Sequence, residues 1–135
     1  MFKLATLLAL LPAIALASPV SADKVVQRDD TIYIGTAEQY TPVNFIPGAC
    51  GYLNSPSDYV VGIASAVYGT GVHCGDTITI TNSETFATVD AVVVEDCQTC
   101  QEVGDIEVTL AVATQLNSGQ TPDAFTTFDV TWEFD

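Results

Sequence analysis

Four cysteines, Cys50, Cys74, Cys97 and Cys100, lie downstream of an N-terminal segment with the marks of export. An even cysteine count in a secreted chain reads as disulfides, and sequence alone leaves three pairings of four cysteines open. Met1-Phe2-Lys3 gives a short start with one positive charge. Leu4 to Leu16 is apolar except for Thr6 and Pro12, and Ala15-Leu16-Ala17 puts small residues at the two positions a signal peptidase reads. We expect a signal peptide over residues 1–17, cut after Ala17, with Val20-Ser21-Ala22 as a second small-x-small site. The apolar run is too short to span a bilayer, which takes about 20 residues, and Pro12 opposes a stable spanning helix. The expected location is extracellular, without membrane attachment.

Competing uses of the cysteines are weaker. Cys97-x-x-Cys100 has zinc-ligand spacing, but Cys50 and Cys74 form no second C-x-x-C. A redox role would want a βαβ setting, whereas the residues before Cys97 read as a strand and those after Cys100 as a loop. No metal and no cofactor is expected.

Charge narrows the partners. The chain has 3 Lys+Arg against 17 Asp+Glu. Nucleic-acid binding depends on counterion release onto lysine and arginine, so nucleic acid and other polyanions are poor partners. Neutral or cationic glycans and basic proteins remain compatible.

Residues 18–30 are polar and aperiodic, and are expected to form a flexible leader or pro-segment, with the folded domain over 31–135. That domain reads as strands. Thr31 to Ala37 is rich in β-formers, and Tyr59 to Ala64 is a short apolar run typical of a buried strand. Thr77 to Thr81 alternates before the turn residues Asn82-Ser83. Ala87 to Glu95 follows, with Val92, Val93 and Val94 apolar throughout. Asp105 to Thr109 alternates again. In the last strand Phe128, Val130, Trp132 and Phe134 share one face, which makes Trp132 a core residue. Only Leu110 to Leu116 reads as a full helix, stopped by Asn117-Ser118-Gly119, with a single turn over Ser65 to Gly69. Some six strands with short connections suggest a closed barrel or a sandwich.

Several blocks form a recognisable set. Gly48-Ala49-Cys50-Gly51-Tyr52 is followed by Asn54 to Ile63, then His73-Cys74-Gly75 and Thr77 to Asn82. Thr88 to Val94, Cys97-Gln98-Thr99-Cys100 and Gly104 to Thr109 complete it. Their order and spacing resemble the RlpA-like double-psi β-barrel family of fungal secreted proteins, whose barrel is shared with expansins, barwin and family 45 endoglucanases. The resemblance runs from about Ile32 to Phe134. It implies an all-β fold, a six-stranded double-psi β-barrel with one or two short helices. It also implies that Cys50 pairs with Cys74, which leaves Cys97 for Cys100.

The resemblance points to one candidate site. An inverting glycosidase needs an acid and a base carboxyl roughly 6.5–9.5 Å apart. The acid of the family 45 enzymes, in His-Phe-Asp-Leu, matches Asp105-Ile106-Glu107-Val108, so Glu107 stands at the acid position. The base position falls at Thr41, which cannot act as a base. Asp96 stands where many fungal relatives carry arginine, and Glu95, Asp96, Glu102, Asp105 and Glu107 form an acidic cluster. Close carboxylates raise one another's pKa, which could suit a general acid, but solvated loop and strand-exit charges are the preferred reading of this cluster. A calcium site in that cluster lacks EF-hand spacing. The expected ligand-binding residues are Tyr40, Asp96, Asp105 and Glu107. The expected function is a secreted, non-catalytic, monomeric module that binds cell-wall polysaccharide or an extracellular protein. The alternatives are a glycan-cleaving enzyme using Glu107 as its acid, and a protease inhibitor or effector.

Overall fold

A computed structural model of the chain describes residues 30–135. The expected signal peptide and all but the last residue of the expected leader lie outside the described residues. Six strands run in chain order as β1 (Tyr33–Gln39), β2 (Val60–Ala64), β3 (Thr77–Asn82), β4 (Thr88–Cys97), β5 (Ile106–Val108) and β6 (Phe128–Phe134). Two short helices are α1 (Ser65–Tyr68), after β2, and α2 (Leu110–Leu116), after β5. The strands close into one barrel in the order β1-β5-β2-β4-β3-β6. Two of the pairings, β1 with β5 and β2 with β4, are parallel, and the other four are antiparallel. Closure gives each of these six strands two paired neighbours, which limits the edge available to template aggregation.

Alternation sets the two faces of the wall. In β3, Ile78 and Ile80 point inward while Thr77, Thr79 and Thr81 are only part-buried. In β6, Val130 and Trp132 are buried and Asp129 and Glu133 are exposed. Trp132 stacks on Tyr33 at 4.1 Å and packs edge-on against Phe134. Its indole N–H donates to the Gly104 carbonyl at 2.8 Å, which satisfies the polar end of a buried tryptophan. Helix α2 buries Val112, Ala113 and Leu116. The Thr109 hydroxyl before it donates to the Asp58 carbonyl rather than capping the helix.

Backbones approach most closely where β1 passes the loop before β5. A Cβ on Gly35 would stand 2.3 Å from the Gly104 carbonyl carbon, and one on Gly104 would stand 2.1 Å from the Ile34 carbonyl oxygen. Only glycine fits at either position. The disulfides are Cys50–Cys74 and Cys97–Cys100, the pairs that the resemblance implies. Among the described residues no helix is long and apolar enough to cross a membrane, and no three metal-ligating side chains converge.

Candidate functional site

The site grows from one register. Glu107 on β5 lies opposite Glu38 on β1 on one side and Gly62 on β2 on the other. Gly62 in turn lies opposite Glu95 on β4. Residues directly opposite across a sheet share a face, so Glu38, Glu107 and Glu95 form one row on the outer wall across four strands. Two local features build it. The register of β2 against β4 shifts between Val61 and Gly62, so Val94 has no partner and Glu95 is brought opposite Gly62. A bulge of this kind re-aims the side chains that follow it. Gly62 then leaves the space that the Glu107 side chain occupies. A Cβ at position 62 would meet Glu107 Oε1 at 2.4 Å and Glu107 Cγ at 2.6 Å.

Like charges placed side by side on a sheet repel, and no lysine or arginine lies among the described residues to relieve them. The three basic residues of the chain, Lys3, Lys24 and Arg28, all precede the described residues. Burial, then the charges of Glu95, Asp96 and Glu38, push the Glu107 carboxyl from 4.5 up to about 7. At neutral pH it is therefore partly protonated, and offers an O–H donor as well as acceptor lone pairs. Burial and the charges of Glu107, Glu95 and Asp58 also raise the Tyr40 phenol above its ordinary range.

The elevated Glu107 pKa has a consequence for stability. Stability from this group is full below the unfolded-state value near 4.5 and is lost as pH rises through the folded value near 7. Glu107→Gln is neutral at every pH. It is expected to match the parent near pH 4 and to exceed it near pH 8 by about 1–2 kcal/mol, with allowance for solvent screening at a half-buried site. Urea titrations at the two pH values measure this; an equal difference at both would refute it.

The neighbouring carboxylates are held by other groups. Glu95 Oε1 accepts from the backbone N–H of Ala49 at 2.9 Å and of Asp96 at 3.1 Å, which ties β4 to the loop around Cys50. Asp96 accepts from the Ser65 hydroxyl at the start of α1. Asp105 Oδ1 accepts from the Thr36 N–H and hydroxyl, both at 3.0 Å, and Oδ2 accepts from the Glu102 N–H at 2.9 Å. Burial alone would raise the Asp105 pKa, but these hydrogen bonds outweigh it and hold the carboxyl below its ordinary value.

Tyr40 and Asp105 border different concavities, and neither of these is lined by Asp96 or Glu107. Asp105 borders a groove of about 800 Å³ between β1 and the loop around Cys100. Tyr40 and Thr41 border a separate pocket of about 180 Å³, together with Glu95. The larger groove omits Glu107 but reaches the row at Glu38. Glu107 and Asp96 are near enough to interact electrostatically, as are Tyr40 and Glu107. Glu38 and Gly62 were not singled out by the sequence reading. Only the pairing of strands distant in sequence brings them to Glu107.

A closed six-stranded barrel of this connectivity is a double-psi β-barrel. Solved structures that share it include the apo form of an expansin from Clavibacter michiganensis, with TM-score 0.62 and 21% identity over 78% of this chain and 50% of that one. A single-residue mutant of a Clavibacter michiganensis expansin, solved with cellohexaose, matches with TM-score 0.60 and 22% identity over the same shares. A Streptomyces papain inhibitor matches with TM-score 0.60 and 22% identity, over 78% of this chain and 94% of the inhibitor. The chain therefore spans about half the length of the expansin structures and nearly all of the inhibitor. No protein-family model matches the chain, and no curated protein sequence does.

Proposed function

We propose that the chain is a secreted, non-catalytic module of the RlpA-like, expansin/barwin type, and that it binds cell-wall glycan along the Glu38–Glu107–Glu95 row. The observation that carries this reading is Glu107, whose carboxyl is pushed up to about 7 and set on an open wall beside Tyr40. A partly protonated carboxyl can donate to one sugar hydroxyl and accept from another, and a neutral glycan brings no charge into an anionic site. The cellohexaose complex of an expansin with this fold supports a glycan as ligand. In this reading the chain is non-catalytic because the position where the resemblance places the base holds Thr41. In this reading residues 1–17 are removed on export and residues 18–30 form the leader.

Partition onto swollen cellulose and colloidal chitin tests the proposal. The parent chain should be retained on at least one polymer, and Glu107→Ala should weaken retention about tenfold or more. Glu133→Ala, exposed on β6, should leave it unchanged. No retention of the parent on either polymer would sink the reading. Release of reducing ends that vanishes in Glu107→Gln would replace it with the glycosidase alternative.

A second reading rests on the loop between β1 and β2. It exposes Val43, Phe45, Ile46 and Leu53 and is pinned by Cys50–Cys74. An exposed apolar loop tied at one point by a disulfide suits protein docking, and the likeness to a papain inhibitor over nearly that protein's whole length favours it. Titration against papain and trypsin separates the two readings, since a glycan module should leave both enzymes fully active.

A further inference from the structure

We propose that Phe125 is a sugar-ring platform at one end of the carboxyl row, so that the ligand is an extended glycan chain running across β1 onto the loop before β6. This inference rests on the glycan reading above and adds to it a second contact point and a direction.

Phe125 is 96% exposed, the most exposed large apolar side chain among the described residues. Leaving a whole phenylalanine ring in water forgoes the favourable burial of its surface, and the fold gains no packing from it. The loop that carries it is nonetheless anchored. The Thr126 N–H donates to the Asp123 carbonyl at 2.9 Å, and Gln39 Nε2 at the end of β1 donates to the same carbonyl at 3.0 Å. These bonds fix the backbone that carries the ring before any ligand arrives, which lowers the ordering cost of binding.

The surroundings of the ring decide what it fits. A cleft of about 220 Å³ is lined by Glu38, Gln39, Ala124, Phe125, Thr126 and Thr127. Glu38 also borders the groove of about 800 Å³ and stands opposite Glu107, so cleft, groove and row meet at this residue. Beside Phe125 lie a carboxylate, an amide and two hydroxyls, with alanine as the one other apolar side chain. Protein anchors sit among packed apolar neighbours that exclude water, and this cleft offers only Ala124. A pyranose offers an apolar C–H face edged by hydroxyls. One flat apolar wall with polar groups along its edge matches that shape.

The test uses the full secreted chain on swollen cellulose and colloidal chitin. On the polymer that retains the parent, Phe125→Ala should lower the partition coefficient about five- to tenfold. Phe125→Trp should keep or raise it, and Phe125→Leu should fall with the alanine variant because it is apolar but has no ring. Phe86, also exposed but not part of the cleft, provides the control, and Phe86→Ala should bind as the parent does. Parent-like binding by Phe125→Ala or by Phe125→Leu, with Glu107→Ala still defective, overturns the platform and leaves the glycan reading standing. If neither polymer retains the parent, the platform falls together with that reading.

Discussion

Gly104→Ala is expected to destabilise the barrel by on the order of 4 kcal/mol, a large share of the 5–15 kcal/mol typical of a whole domain. The added methyl carbon would stand 2.1 Å from the Ile34 carbonyl oxygen and 2.5 Å from its carbon. Both are backbone atoms, so no rotamer change can relieve the contact, and overpacking of this kind displaces main chain. Such displacement would also pull the Gly104 carbonyl from the Trp132 indole and leave a buried N–H without its partner. Gly51→Ala gives the comparison. Its φ of 82° is strained for alanine, but nothing lies within 4 Å of the added carbon. That change should cost about 1 kcal/mol. Urea unfolding of the two variants separates a steric cost from a conformational one, and similar losses would refute the close-approach argument.

Replacing Cys50 and Cys74 together by serine is expected to cost about 3 kcal/mol, because the bond closes a loop with sequence separation 24. Replacing Cys97 and Cys100 should cost less, about 2 kcal/mol, since their separation is 3. The longer bond also has a local task. It holds the loop whose Ala49 N–H binds Glu95 and whose Cys50 N–H donates to the Val94 carbonyl at 3.1 Å. Its loss should therefore loosen one end of the carboxyl row as well as the fold. Chemical unfolding of the two serine pairs provides the measurement, and equal losses would show that loop length does not govern the effect.

The strands were legible where one face is apolar and the other polar. Thr77 to Thr81 and the last strand alternate because each has one side in the core and one in water. Helix α2 occupies Leu110–Leu116, the span the sequence reading assigned, and ends at Asn117. Strand β1 starts two residues later than its β-forming stretch suggests, because pairing with β6 reaches only to Tyr33 opposite Trp132. The acidic cluster was legible as composition but not as geometry. Asp105 and Glu107 alternate in sequence as if they shared a face, yet β5 begins at Ile106, and Asp105 belongs to the loop it caps. Glu38 reaches Glu107 through a parallel pairing between strands far apart in the chain, and no local pattern encodes such a contact. Gly62 gives the same lesson, because its role is to leave room for a side chain from another strand.

The lack of lysine and arginine beyond Arg28 bears on how the folded domain meets salt. In most domains dissolved ions weaken attractions and repulsions together, and the two effects partly cancel. Among the described residues the one contact that can form an ion pair is His73 with Asp76, charged only when the imidazole is protonated, so added ions have almost no attraction to screen. They act mainly on the repulsion among carboxylates, and that repulsion opposes the compact state. Brine, which erodes surface ion pairs elsewhere, is for this barrel a favourable solvent.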